Sequence, residues 1–159
     1  MKKITPDIVP LKGFGELQFG INLRNAFKFL GEPDEIEDVN DKDDVVTTTL
    51  CIYDALGLTL FFEGIDEQVL SIIEIQGLDA ELFGKKVFTL EEKDISRLMR
   101  SHGFHEEERE TEEWGEERLS YADALIDFYF EEGKLQIINW GVLVDETGIV
   151  QQIGKFLNN

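Results

Sequence analysis

Phe14-Gly15-Glu16-Leu17-Gln18-Phe19 returns 69 residues later as Phe83-Gly84-Lys85-Lys86-Val87-Phe88, and Asp54-Ala55-Leu56 returns at the same displacement as Asp123-Ala124-Leu125. A third echo, Leu58-Thr59-Leu60-Phe61-Phe62-Glu63 against Ile126-Asp127-Phe128-Tyr129-Phe130-Glu131, comes one residue early, which the extra Gly57 explains. A displacement kept across separate segments is the mark of internal repetition, so the sequence predicts one structural unit used twice.

Each unit starts at a Phe-Gly segment and then changes to helical spacing. In the first, Leu23, Ala26, Phe27 and Leu30 stand at i, i+3, i+4 and i+7, after Asn22 as N-cap and before Gly31 and Pro33 as stop signals. In the second, Thr89 and Glu92 read as a capping box, Ile95, Leu98, Met99 and His102 share a face, and Gly103 ends the run. An acidic segment follows each helix, with eight acids from Glu32 to Asp44 and eight glutamates from Glu106 to Glu117. Strand-like runs come next, at Val46–Tyr53, Leu58–Glu63 and Val69–Gln76 and again at Arg118–Tyr121, Ile126–Glu131 and Leu135–Val142, with Glu132-Gly133 as a tight hairpin.

With the acidic segment counted as a strand, the expected fold is α+β. It has two tandem repeats, each a helix packed on a four-stranded antiparallel meander, with sheets able to join into one concave surface. Residues 1–77 form the first repeat and 78–144 the second. In 145–159, Ile149, Ile153, Phe156 and Leu157 predict a C-terminal helix that closes the domain.

Alternation sorts the strand faces. Leu58, Leu60 and Phe62, with Ile126, Phe128 and Phe130, read as the core face. The opposite set is Thr59, Phe61 and Glu63 with Asp127, Tyr129 and Glu131, an aromatic flanked by polar and acidic side chains in each case. Trp114, at a bend of the second acidic segment, and Trp140 join this set as candidate aromatic anchors. Phe61, Glu63, Trp114, Asp127, Tyr129, Glu131 and Trp140 are thus the expected partner-binding residues, suited to an Arg- or Lys-rich surface. For both tryptophans, a place in the core is the competing reading.

Charge narrows the class of partner. The 159 residues carry 34 acidic and 15 basic side chains, a net charge of −19, which repels phosphate backbones and anionic headgroups. A basic protein is therefore the expected partner, with neither nucleic acid nor membrane. With 42% hydrophobic residues and 12 Phe the chain can fill a core. Met1-Lys2-Lys3-Ile4 is basic without the apolar stretch of a secretory signal, so the expected compartment is the cytoplasm. The single Cys51 lies in an apolar strand run, where a small buried side chain fits.

The candidate chemistries are weak. His102-Gly103-Phe104-His105-Glu106 has zinc-binding residue types, but His102 suits a helix C-terminus and Gly103 turns the chain before His105. Asp38-Val39-Asn40-Asp41-Lys42-Asp43-Asp44 puts a lysine where a calcium loop needs an oxygen and lacks its glycine and closing glutamate. Ser71, Ser96, Ser101 and Ser120 lack the glycine context of a nucleophile elbow, and Cys51 has no evident histidine partner. No catalytic residues, cofactor or metal are expected. The acidic runs read either as solvated faces that protect sheet edges or as a steering surface for a cationic protein.

Phe19-Gly20-Ile21-Asn22-Leu23 through Leu30-Gly31-Glu32-Pro33-Asp34 resembles the Phe-Gly to Leu-Gly-x-Pro signature of the β-lactamase inhibitory protein family and its related lipoprotein modules. The resemblance implies a doubled helix-plus-four-strand unit and a sheet face that grips a protein. Two departures limit it: Leu98-Met99-Arg100-Ser101-His102-Gly103-Phe104 replaces the signature in the second copy, and the paired cysteines of the secreted inhibitors are missing. Inhibition of β-lactamase is therefore not carried over. Size and acidity are also similar to those of bacterial toxin-immunity proteins.

The expected function is a non-enzymatic acidic protein-binding module, an inhibitor or immunity protein that neutralises a basic partner such as a toxin. The alternative is a small-ligand-binding or regulatory domain using the groove between the two sheets, favoured by a deep apolar pocket lined by Phe61 and Tyr129.

Overall fold

The helical spacing at Leu23, Ala26, Phe27 and Leu30 forms α1 (Leu23–Leu30). Asn22 Oδ1 accepts from Asn25 N at 2.8 Å, and the chain leaves at Gly31, whose φ of 87° a side chain would resist. α2 (Glu92–Ser101) buries Ile95, Ser96 and Met99. Its capping box joins Glu91 and Asp94, not Thr89 and Glu92 as the sequence suggested. Val87–Thr89 coil into a short 3₁₀ turn, where Thr89 Oγ1 donates to the Lys86 carbonyl at 2.6 Å.

The computed structural model describes residues 4–40, 42–77, 79–145 and 147–151. Before α1 come β1 (Asp7–Val9), β2 (Gly13–Phe14) and β3 (Leu17–Gln18); between the helices come β4 (Glu35–Asp38), β5 (Thr47–Tyr53), β6 (Leu58–Gly64), β7 (Val69–Gln76), β8 (Glu81–Leu82) and β9 (Lys85–Lys86). After α2 come β10 (Glu107–Thr111), β11 (Glu116–Tyr121), β12 (Ile126–Glu131) and β13 (Lys134–Gly141).

The strands sort into an eight-stranded antiparallel sheet in the order β10-β11-β12-β13-β7-β6-β5-β4 and a five-stranded sheet in the order β3-β2-β1-β8-β9. The smaller sheet is mixed: β1 pairs parallel with β8, Asp7 opposite Glu81 and Ile8 opposite Leu82. The chain is therefore predominantly β, and the expected α+β pair of helix-plus-meander repeats is corrected. Two pairings account for the difference. β7 bonds to β13 from Ile72–Gly141 to Gln76–Ile137, which merges the long strands into one sheet. The Phe-Gly segments, which alternation could not resolve because they are two-residue strands, build a second sheet that draws on both halves of the chain. Of the expected C-terminal helix, Ile149 lies in a loop closed by an antiparallel bridge between Val144 and Val150 and not in a helix, which corrects that part of the expectation, while Ile153, Phe156 and Leu157 lie outside the described residues.

One face of the large sheet is the core. Leu58, Leu60 and Phe62 of β6, Ile73 and Ile75 of β7, Ile126, Phe128 and Phe130 of β12, and Ile138 and Trp140 of β13 are all buried. They pack with Ala26 and Leu30 of α1, Ile95 and Met99 of α2, and Ile8, Phe14, Leu17 and Leu82 of the smaller sheet. Each such side chain contributes roughly 1.5–3 kcal/mol on leaving water. Glu132 and Gly133 both take positive φ, 50° and 77°, the conformation of a two-residue hairpin between β12 and β13.

Candidate functional site

Alternation that buries one face of the large sheet turns the other outward, and its cross-strand registry fixes which side chains are neighbours. One row runs Leu50–Phe61–Ile72, a second Thr59–Glu74–Asn139–Asp127–Ser120–Glu108, and a third Ile137–Tyr129–Arg118–Glu110. Most of these residues are half-buried, and none of Leu50, Phe61, Ile72, Tyr129 or Ile137 packs into the core cluster. The outward face is thus a mixed apolar and acidic surface.

Phe61, Glu63, Asp127, Tyr129 and Glu131 all stand on this face, as strand alternation required, but not as one cluster. β7 and β13 separate β6 from β12, and Phe61 is in register with Gly141 whereas Tyr129 is in register with Ile137, four residues along β13, so the two aromatics are roughly 20 Å apart. The two tryptophans take opposite fates. Trp114 is 74% exposed at the turn between β10 and β11. Trp140 is wholly buried: its indole Nε1 donates to the Gly13 carbonyl at 3.1 Å and its ring meets Phe14 edge-on at 5.7 Å. Its proposed place among the partner-binding residues is corrected, because in β13 it has the parity of buried Ile138 and not that of Asn139.

Acid dominates the electrostatics of the open face. Glu63, Glu74, Glu108, Glu110, Asp127 and Glu131 are offset by Arg118 and Lys134. Arg118 is held by an ion pair to Glu110. Glu116 and Glu131 stand directly opposite each other on β11 and β12, an unfavourable like-charge pair, with Lys134 in register with Glu131 on its other side. Burial and then the neighbouring Asp127 push the Tyr129 hydroxyl up, so it stays protonated near neutrality and can donate as well as accept.

A groove of about 400 Å³ opens on the same face where β10 to β13 meet β7. Ile72, Leu125, Val142 and Leu143 give it an apolar wall, and Glu108, Arg118, Ser120, Asp127 and Asn139 a polar one. Neither Phe61 nor Tyr129 lines it, so it differs from the pocket anticipated from the sequence.

Sequence reasoning missed a polar cluster under α2. Glu107, its side chain 5% exposed, accepts from Ser96 Oγ at 2.6 Å and from Arg100 Nε at 3.1 Å, and pairs with Arg109 Nη2 at 2.9 Å. Arg109 Nε also donates to Glu92 at 2.6 Å. Burial alone would raise the Glu107 pKa, but the bonds from Ser96 and Arg100 and the nearby guanidinium charges outweigh it and hold the carboxyl low. Tyr121, on the adjacent strand opposite Glu107, is pushed up to about 12, by burial first. The only sequence signal was one arginine in the second glutamate run. The cluster anchors α2 to the sheet edge, a structural task.

His102 stacks flat on Phe83, ring centroids 3.8 Å apart, with Nδ1 3.0 Å from the Leu98 carbonyl. The His105 backbone N–H donates to Asp123 Oδ2 at 2.8 Å. Among the described residues no cluster of His, Cys, Asp and Glu could hold a metal ion, and no helix is long and apolar enough to cross a membrane. Cys51 is buried and free, its thiol pushed up to about 11 by burial and then by Asp38.

No family model, curated protein or solved structure matches the chain. With a mostly β fold of two sheets and no family match, the resemblance of Phe19–Asp34 to the β-lactamase inhibitory proteins is corrected and carries no further weight.

Proposed function

We propose that this protein is a non-enzymatic binding module whose outward sheet face takes a basic protein surface. The supporting observation is the composition of that face: Phe61 and Tyr129 give aromatic area, and the surrounding acids include the facing pair Glu116 and Glu131. A partner's lysine or arginine between those two carboxylates converts a repulsion into two attractions, and the net charge of −19 speeds the encounter. Neutralising a basic toxin is one biological use of such a face, recognised by loss of the partner's activity on binding.

The test is affinity capture at low and moderate salt, followed by titration of the captured protein against wild type, Tyr129→Ala and Glu131→Lys. Retention of a basic protein that weakens with salt and with both variants supports the reading. Retention indifferent to salt and to both variants, or no retention, sinks it.

The groove beside Ser120 favours a second reading, a small ligand with apolar and charged parts. A thermal-shift screen separates the two: a metabolite that raises the melting temperature of wild type and not of Asp127→Asn supports the ligand site.

A further inference from the structure

The two edges of the eight-stranded sheet are built differently. β10 reads Glu-Glu-Arg-Glu-Thr, with Glu107, Arg109 and Glu110 all in ion pairs. Packed charge of this kind is how a free edge is kept from pairing. At the other end, β4 pairs only with β5 among the described residues, and all four of its side chains are exposed.

β4 also carries uncovered aliphatic surface. Ile36 is 58% exposed, and Val39, Val45 and Val46, in the connection to β5, are 52%, 70% and 43% exposed. Ile36 stands opposite Cys51, a wholly buried core residue, so it continues the core layer to a rim that no other described residue covers. An added strand would extend both the hydrogen-bonded ladder and the apolar layer.

Charge selects the occupant. A second copy pairing antiparallel through β4 would set Glu35, Glu37 and Asp38 against the same acids, a repulsion that disfavours self-association. An extended segment that alternates cations with aliphatic residues meets the opposite situation. Its aliphatic side chains lie beside Ile36, and its cations face Glu35 and Glu37, which stand in register with Ile52 and Leu50 of the outward face.

We propose that the free edge of β4 binds an extended basic segment of a partner protein by strand addition. The inference rests on the proposed reading for the partner's charge and extends it to a defined docking edge continuous with the Leu50–Phe61–Ile72 row.

The probe is a synthetic eight-residue peptide alternating Lys and Val, titrated into nitrogen-15-labelled full-length protein, together with the same peptide N-methylated at every second amide. The expected result is amide shifts centred on Glu35–Asp38 and slowed hydrogen exchange there. Binding should weaken about tenfold for the N-methylated peptide, which loses strand hydrogen bonds, and for Ile36→Thr, which loses apolar contact beside the added strand. Ile36 is exposed, so that variant should melt like wild type. Shifts confined to the face around Tyr129, or equal binding of the N-methylated peptide, overturn the edge while leaving the outward-face reading in place. No shifts anywhere overturn the edge and count against the basic-partner reading as well.

Discussion

The indole Nε1 of Trp140 donates to the carbonyl of Gly13 at 3.1 Å, a hydrogen bond between residues 127 positions apart that ties β13 of the large sheet to β2 of the small one. Gly13 is suited to this place. Its φ is 154°, and a Cβ there would lie 2.0 Å from the Leu17 carbonyl oxygen, inside any permitted contact. The two sheets are therefore joined at a point that tolerates neither a side chain on one partner nor loss of the indole on the other.

Replacing that indole separates two costs. Trp140→Phe keeps most of the ring but leaves a buried carbonyl unpaired, which costs about 1–3 kcal/mol, whereas Trp140→Ala adds a cavity and should cost about 3–5 kcal/mol. Urea unfolding of both variants, followed by far-ultraviolet circular dichroism, gives the order. A Trp140→Ala cost under 1 kcal/mol would mean the two sheets do not depend on this junction.

The exposed tryptophan makes the contrasting case. Trp114→Phe should change stability by no more than about 0.5 kcal/mol, since it removes a surface side chain at a turn. Fluorescence should shift to the blue in that variant, because the remaining emitter is the buried Trp140.

Glu107 gives the fold an acid-sensitive anchor. Its carboxyl titrates lower in the folded state than in the unfolded chain, so its contribution is complete above the unfolded carboxylate pKa of about 4.3 and is lost as pH falls through the lower folded value. Glu107→Gln should therefore destabilise the protein by about 1–2 kcal/mol at pH 7, and the gap to wild type should narrow as the pH falls through the lowered folded-state value. Melting curves over a descending pH series check it; a gap of constant size throughout would assign the loss to packing instead.

Cys51 should be inert in the native protein. With no exposed surface and its thiol pushed up to about 11, it presents little thiolate at pH 8. Reaction with a chromogenic disulfide reagent should be slow until urea unfolds the chain, then complete to one equivalent. Rapid labelling without denaturant would show local opening of β5.

Gly57 sits at φ 59°, with Gln76 O 2.3 Å from the position a Cβ would take. Gly57→Ala should cost more than about 1 kcal/mol, the usual backbone penalty increased by that close approach. Thermal unfolding of this variant beside a control substitution at Gly77, where a Cβ meets nothing within 4 Å, isolates the contact.

Local signals in this chain were informative because neighbouring residues decide them. The spacing of Leu23, Ala26, Phe27 and Leu30, the caps at Asn22 and Gly31, and the alternation through Leu58–Phe62 and Ile126–Phe130 set a helix, its ends and the parity of two strands. That parity placed Phe61, Glu63, Asp127, Tyr129 and Glu131 on a common face. The expected α+β repeats failed because the deciding contacts are remote. β7 with β13 and β1 with β8 pair residues that no local pattern connects, and two-residue strands such as Gly13–Phe14 are too short to show a period. Trp140 turns inward because it shares the parity of Ile138 in its own strand, and the Glu107 cluster is not legible locally because it joins α2 to β10 around one carboxylate. The sequence by itself determined α1, the buried sides of β6 and β12, and the acidic charge. Only the tertiary structure decided which strands became neighbours, and with that which acids share a face and which edge is left open, because hydrogen-bond pairing between distant strands depends on chain geometry that composition and periodicity do not encode.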